Sequence, residues 1–228
     1  MKTLLLTAII ICNITLANAQ SLSYTDPAAG FNRMMLENNS GTYVQIGNYK
    51  VQGTSKLYGG KLETEIYGTD SKSVMRATAS YDSYLKLVEV YEEASQKVIN
   101  VLNVDSFVSY SQANTPLKFL APKFVDVSKK GFFQVVLVQS NITLYKYYDC
   151  ALAIPSNNYV NSALREFDIT FEYYYKDAAT NELIPIKNNY KALVALLKKH
   201  VNVVDLVDRT TYNMNVENSL ITIFKNYK

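Results

Sequence analysis

The chain has 228 residues, 48% of them apolar and 19% charged, with a formal net charge of +3. One His, two Cys, no Trp and 8 Gly stand against 19 Tyr. These counts exclude a disulfide-stapled scaffold, a zinc-finger or zinc-ribbon protein, a multi-His metalloenzyme and a low-complexity tail.

The first 19 residues read as an export signal. Lys2 supplies a positive start, Leu4 to Cys12 is apolar apart from Thr7, and Ala17-Asn18-Ala19 is a small-x-small cleavage pattern. Residues 1–19 are therefore expected to be a cleavable signal peptide, cut near Ala19-Gln20, leaving a secreted or periplasmic chain. Asn13 and Asn18 interrupt the stretch short of the ~20 apolar residues a transmembrane helix needs, so no transmembrane anchor is expected. Cys12 follows Ile9-Ile10-Ile11 rather than a small residue, which argues against a lipoprotein signal. Cleavage leaves 209 residues with 22 basic and 20 acidic groups. That balance creates no steering field toward nucleic acid or an anionic membrane. It also leaves Cys150 alone, so no intramolecular disulfide can form. A chain of this length can bury ~70% of its unfolded surface, and a core alone can hold it.

Seven of the eight glycines precede residue 70; only Gly131 comes later. The early part thus reads as short strands joined by tight turns. Leu57-Tyr58-Gly59-Gly60-Lys61-Leu62 predicts a Gly-Gly hairpin whose second strand alternates Leu62, Thr64 and Ile66 against Glu63, Glu65 and Tyr67. Gly47-Asn48 predicts another, between 43–46 and 49–52. Residues 85–96 read as strand, with a helix as the alternative, because Leu87, Tyr91, Ala94 and Val98 also fall at helical spacing. The Val-, Ile- and Tyr-rich run from Lys97 to Tyr110 argues for more strands.

Lys129-Lys130-Gly131 predicts a turn before a strand at Phe132–Val138 buried on both sides. Ile142 to Tyr148 is its hairpin partner through Ser140-Asn141. Phe167 to Lys176 has the clearest period of two. Phe167, Ile169, Phe171, Tyr173 and Tyr175 share one face; Asp168, Thr170, Glu172, Tyr174 and Lys176 share the other. The pattern then turns helical. Tyr190, Leu193, Val194, Leu197 and Val201 form one apolar stripe, with Lys198 and Lys199 near the helix end, complementing its dipole. Asn215 as N-cap opens a second helix with Val216, Leu220, Ile223, Phe224 and Tyr227 inward. The expected fold class is α+β: mainly antiparallel β, as hairpins, a sandwich or a curved sheet, with two C-terminal amphipathic helices. Residues 20–228 read as a single β-rich domain with a helical segment at 188–228.

This layout carries a resemblance. The signal peptide, the Gly-punctuated β region, Phe132-Phe133-x-Val135-x-Leu137 leading to Leu144-Tyr145-Lys146, Phe171-x-Tyr173-Tyr174-Tyr175, the short Leu183–Pro185 link and the Lys-rich helix come in that order. Together they resemble uncharacterised exported proteins of Bacteroidetes-type bacteria. The chain departs from that group in having Gly41-Thr42-Tyr43 in place of a Gly-Ser-Pro-Tyr start. The resemblance implies a periplasmic or surface location and brings no activity to transfer.

Catalytic chemistry finds little purchase. His200 and Cys150 are the only imidazole and the only mature thiol, too few for a metal centre, and no cofactor is expected. Asp205 and Asp208 near His200 read as a solvated helix end. Cys150 lies among small apolar residues, as a buried inert thiol does. No Gly-x-Ser-x-Gly elbow, EF-hand loop or phosphate-binding loop is present. Among paired carboxylates, Asp168 and Glu172 sit ~13 Å apart along a strand. Glu63 and Glu65 sit ~6.6 Å apart, within the ~5–9.5 Å window of glycosidase pairs. The sequence therefore points to a non-catalytic protein that binds an envelope or extracellular partner through an aromatic sheet face, Tyr being a rigid contact residue with a polar tip. Tyr174, flanked by Asp168 and Glu172, is the candidate contact. A small-molecule or lipid carrier is the first alternative, and an envelope hydrolase using Glu63 and Glu65 is the second.

Overall fold

A computed structural model describes residues 43–69, 74–92, 97–155 and 163–227. The expected signal peptide and its cleavage site lie outside these residues. Twelve strands form one sheet: β1 (Tyr43–Ile46), β2 (Tyr49–Gln52), β3 (Leu62–Gly68), β4 (Val74–Asp82), β5 (Leu87–Glu92), β6 (Lys97–Val101), β7 (Val104–Tyr110), β8 (Pro116–Leu120), β9 (Phe133–Val138), β10 (Ile142–Ala153), β11 (Leu164–Asp177) and β12 (Leu183–Ile186). Their order is β1-β2-β11-β10-β9-β8-β7-β3-β4-β5-β6, with β12 also on β11. The ladders are antiparallel except β2 on β11, which runs parallel from Lys50↔Leu164 to Gln52↔Glu166. β12 occupies the other end of that β11 edge, from Tyr173↔Ile186 to Lys176↔Leu183. The α+β expectation holds, with the sheet curved.

The curvature is visible in contacts between distant strands. β4 and β10 are five steps apart in the order, about 24 Å in a flat sheet. Yet the turn after β4 reaches the β10–β11 surface. The Tyr84 ring lies 5.6 Å from Phe167, and Lys86 Nζ donates to the Tyr148 carbonyl at 2.9 Å and to Asp149 at 2.8 Å. Side chains seal the roll. Tyr81, Phe107, Phe119 and Phe132 meet inside it at 4.5–6.0 Å between ring centroids. Gly131 sits at φ +84° where a Cβ would lie 2.3 Å from the Tyr81 hydroxyl, so this position accepts no side chain.

The expected turn at Gly47-Asn48 joins β1 to β2. The Leu57–Leu62 hairpin does not form. Leu57–Gly59 is a single 3-10 turn, and β3 already has β4 on one edge and β7 on the other, so no edge remains for the preceding segment. Residues 87–92 are strand rather than helix; 93–96 lie outside the described residues. The Leu183–Pro185 link is β12, an edge strand that tolerates Pro185.

Four helices follow where two were expected: α1 (Tyr190–Leu197), α2 (Val203–Leu206), α3 (Arg209–Met214) and α4 (Val216–Phe224). The two expected helices are α1 and α4, and Asn215 caps α4 by accepting the Asn218 N–H at 3.0 Å. α1 ends at Leu197, so Lys198 and Lys199 lie just past it rather than within its last turn. The short α2 and α3 lack a long apolar period and left no trace in the pattern. Leu193, Leu197, Leu220, Ile223 and Phe224 pack on Leu144, Tyr173 and Tyr175 of the sheet.

Candidate functional site

The alternation of β11 holds, and it divides the aromatic residues between two surfaces. Tyr174 points away from Phe171 and Tyr173, as its position requires. Its ring is only 8% exposed, packed with Phe133, Tyr145 and Tyr147 and with Val125 of the 121–132 connection. Lys129 lies over Tyr174 and Tyr147 at 5.6 and 4.9 Å from the ring centroids and reaches Glu172 at 3.4 Å. The Tyr174 hydroxyl donates to Glu172. That bond first, and the Lys129 ammonium after it, hold the Glu172 carboxyl below the usual range. Asp168 and Glu172 are exposed on this face. The surface around Tyr174 is thus a charged edge of Glu172 and Lys129 with the tyrosine ring beneath it, and Asp168, six residues along the same strand, stands apart from it.

The opposite surface carries rings that reach solvent. Phe171 is 48% exposed and Tyr58 is 47% exposed. Between them lies Tyr148, with centroids 6.3 Å from Tyr58 and 6.4 Å from Phe171, and Tyr173 continues the row 5.6 Å beyond Phe171. Strand geometry sets the row, because Tyr148 and Phe171 are register partners on neighbouring strands. Tyr58 comes from the 3-10 turn and is held at φ +54°, an uncommon conformation for a bulky residue.

Polar groups line the row. The Tyr58 and Tyr148 hydroxyls lie 2.6 Å apart, and each lies 2.7 Å from Gln134 Oε1. Lys146 Nζ sits 4.4 Å above the Phe171 ring and pairs with Glu217 at 2.7 Å. The Tyr173 hydroxyl donates to the same carboxylate at 2.8 Å. Glu217 stands in the first turn of α4, so the helices hold one wall of the cluster. Burial, and then neighbouring Tyr58 for Tyr148 and Glu217 for Tyr173, push both phenols far above their usual range. Both stay neutral hydrogen-bonding groups at physiological pH. Sequence reading placed Phe171 and Tyr173 on one strand face but nominated the opposite face, with Tyr174, Asp168 and Glu172, as the contact surface. It had no means of finding Tyr58, Gln134, Lys146 or Glu217. Tyr58 and Tyr148 are 90 residues apart, and Lys146 and Glu217 are 71 apart.

Of the other candidate groups, Glu65 and His200 have partners. Glu65 pairs with Arg76 at 2.9 Å and accepts from the Tyr67 hydroxyl at 2.9 Å, in an open groove of about 370 Å³ that Glu63 also lines. The His200 ring stacks on Tyr227 at 4.7 Å. Among the described residues no cluster of His, Cys, Asp and Glu is placed to hold a metal ion, and no helix is long and apolar enough to cross a membrane.

Cys150 is buried on β10, and burial pushes its thiol up to about 11. At pH 7.5 the folded protein is expected to react with iodoacetamide orders of magnitude more slowly than the urea-unfolded chain. Intact-mass readout counts the labels, and fast labelling of the folded protein would contradict the buried placement. One label on the unfolded, exported product is expected; two would show that Cys12 and its segment are retained.

No protein-family model matches the chain, and no curated protein or solved structure matches it either.

Proposed function

We propose that this chain is an exported, non-catalytic recognition protein that holds an envelope or extracellular partner against the aromatic surface of β10 and β11. The N-terminal pattern of residues 1–19 carries the export half of the reading. The observation that carries the binding half is the row Tyr58–Tyr148–Phe171–Tyr173, with two half-exposed rings and a hydrogen-bonded polar edge. Aromatic rings give large contact area at low entropic cost, and polar groups already fixed by neighbours need little further ordering on binding. The neutral phenols and the protonated Cys150 thiol favour recognition over acid–base or nucleophilic chemistry. The aromatic filling of the roll disfavours a carrier, since rings occupy the space a ligand would take.

The test is a photo-crosslinking residue placed at position 171 in the exporting cell. A discrete adduct in the envelope fraction is expected, lost when Tyr58→Ala is added and unchanged by Glu63→Gln. No adduct, or one indifferent to Tyr58→Ala in a protein of unchanged melting temperature, would overturn the reading.

A further inference from the structure

A different cleft, about 500 Å³ in volume, lies in the helical layer where α1 meets α2 and α3. Lys191, Arg209, Asn188, Asn189 and Asn213 line it beside the half-buried Tyr190 and Val194. No carboxylate lines it. Residues 187–228 hold seven Lys and Arg against three Asp and Glu, so this segment is more positive than the whole chain.

All three acidic residues of that segment are occupied elsewhere. Asp208 accepts from the Thr210 and Thr211 N–H groups at 2.7 and 2.9 Å. Asp205 accepts from Asn202 at 2.6 Å, and Glu217 is held by Lys146 and Tyr173. Among the described residues, no hydrogen bond or ion pair engages the Lys191 or Arg209 side chain. Asn189 Oδ1 takes the Ala192 N–H at 3.1 Å, which leaves that residue's amide N–H groups free for the cleft. The Tyr190 hydroxyl is directed to the Val207 carbonyl at 2.6 Å. The cleft wall therefore presents two cations and the side-chain amides of three asparagines, and no carboxylate lines it.

We propose that this cleft binds an oxyanion, a phosphate or carboxylate group borne on a polar small molecule. Arg209 offers a planar fork that engages such a group through two parallel bonds, and Lys191 adds a point charge. The asparagine amides supply donors for the hydroxyls of the attached molecule. The volume falls in the ~300–1,000 Å³ range of small-molecule sites and exceeds what one bare phosphate fills. The site is separate from the aromatic row and does not rest on the function proposed for it.

Calorimetric titration of the full exported chain with glucose 6-phosphate, inorganic phosphate and glucose tests the assignment. The sugar phosphate is expected to bind most tightly, inorganic phosphate more weakly, and glucose not at all. Arg209→Ala and Lys191→Ala are each expected to weaken the sugar phosphate about tenfold or more, the loss of one charge-assisted contact. Arg209→Lys keeps the charge but not the fork and should also weaken binding. Lys198→Ala combined with Lys199→Ala removes two positive charges of the same segment outside the cleft and should change affinity less than about twofold. These residues are exposed, and equal melting temperatures check that the variants fold. Three outcomes would overturn the proposal: no binding of either phosphate at millimolar concentration, glucose binding as tightly as its phosphate, or equal weakening by the Lys198 and Lys199 changes.

Discussion

Phe107→Ala is expected to lower the unfolding free energy by about 3–5 kcal/mol. Phe107 is 1% exposed and stacks on Phe119 at 4.5 Å with ring planes 10° apart. It also meets Phe132 edge-on at 5.1 Å and Tyr81 at 5.8 Å. Truncation removes the apolar area of the ring and leaves a void that three other rings border, and those rings sit on strands that cannot shift independently. Domains of this size are stable by only about 5–15 kcal/mol, so the loss is a large share of the total. Urea titration should show a lower midpoint with an unchanged slope. Phe107→Leu, which keeps much of the volume, should cost less. A loss below about 1 kcal/mol for the alanine variant would mean that the roll is not packed through this ring.

Lys56→Met is the second large effect, and its size depends on pH. Glu89 is 2% exposed and pairs with Lys56 at 2.7 Å, while Lys56 also contacts the Tyr91 hydroxyl. Burial pushes the Glu89 carboxyl above its usual range, and Lys56 pulls it back only in part. Burial likewise lowers Lys56, but Glu89 and Tyr91 outweigh it and the ammonium ends above its usual value. Removing the lysine strands a buried carboxylate, which costs about 3–5 kcal/mol at neutral pH. The Glu89 carboxyl then moves further up. Between its unfolded value, about 4.3, and the raised folded one, the folded chain holds a proton that the unfolded chain has released. Stability of the variant therefore falls as pH rises through that window and is partly recovered on acidification. Urea midpoints at pH 5 and pH 7.5 measure this. Lys56→Met combined with Glu89→Leu should restore most of the loss at both values. A deficit independent of pH and unrelieved by the second change would sink the account.

Sequence patterning revealed what is local here. The strict alternation of Phe167–Lys176 gave β11 and both of its faces, and Asn215 gave the start of α4. The Gly-Gly pair suggested a hairpin because Gly59 and Gly60 do need positive φ, 81° and 109°. The pattern could not reveal that both edges of β3 would be taken by β4 and β7. Tyr174 shows the same limit. Alternation placed it correctly on the outer face, but whether that face is bare depends on the 121–132 connection, which brings Val125 and Lys129 over it. The aromatic row was hidden because it joins Tyr58 to rings 90 or more residues away. The cleft is lined from 188 to 213 but depends on how the short α2 and α3 fold back against α1, and the pattern did not reveal those helices.

The single parallel ladder has a consequence for how the molecule is assembled. β7 through β11 are joined as successive antiparallel neighbours, contacts that close short loops. β2 meets β11 across 114 residues, with Gln52 donating to Glu166 over the same separation. Closing so long a loop costs more chain entropy and is slow compared with hairpin formation. A chain made N-terminus first must hold β1 and β2 waiting, as a two-stranded hairpin of marginal stability, until residue 166 has followed. The earliest strands synthesised are then among the last to be fixed, and they lock onto a sheet that the middle of the chain has already built.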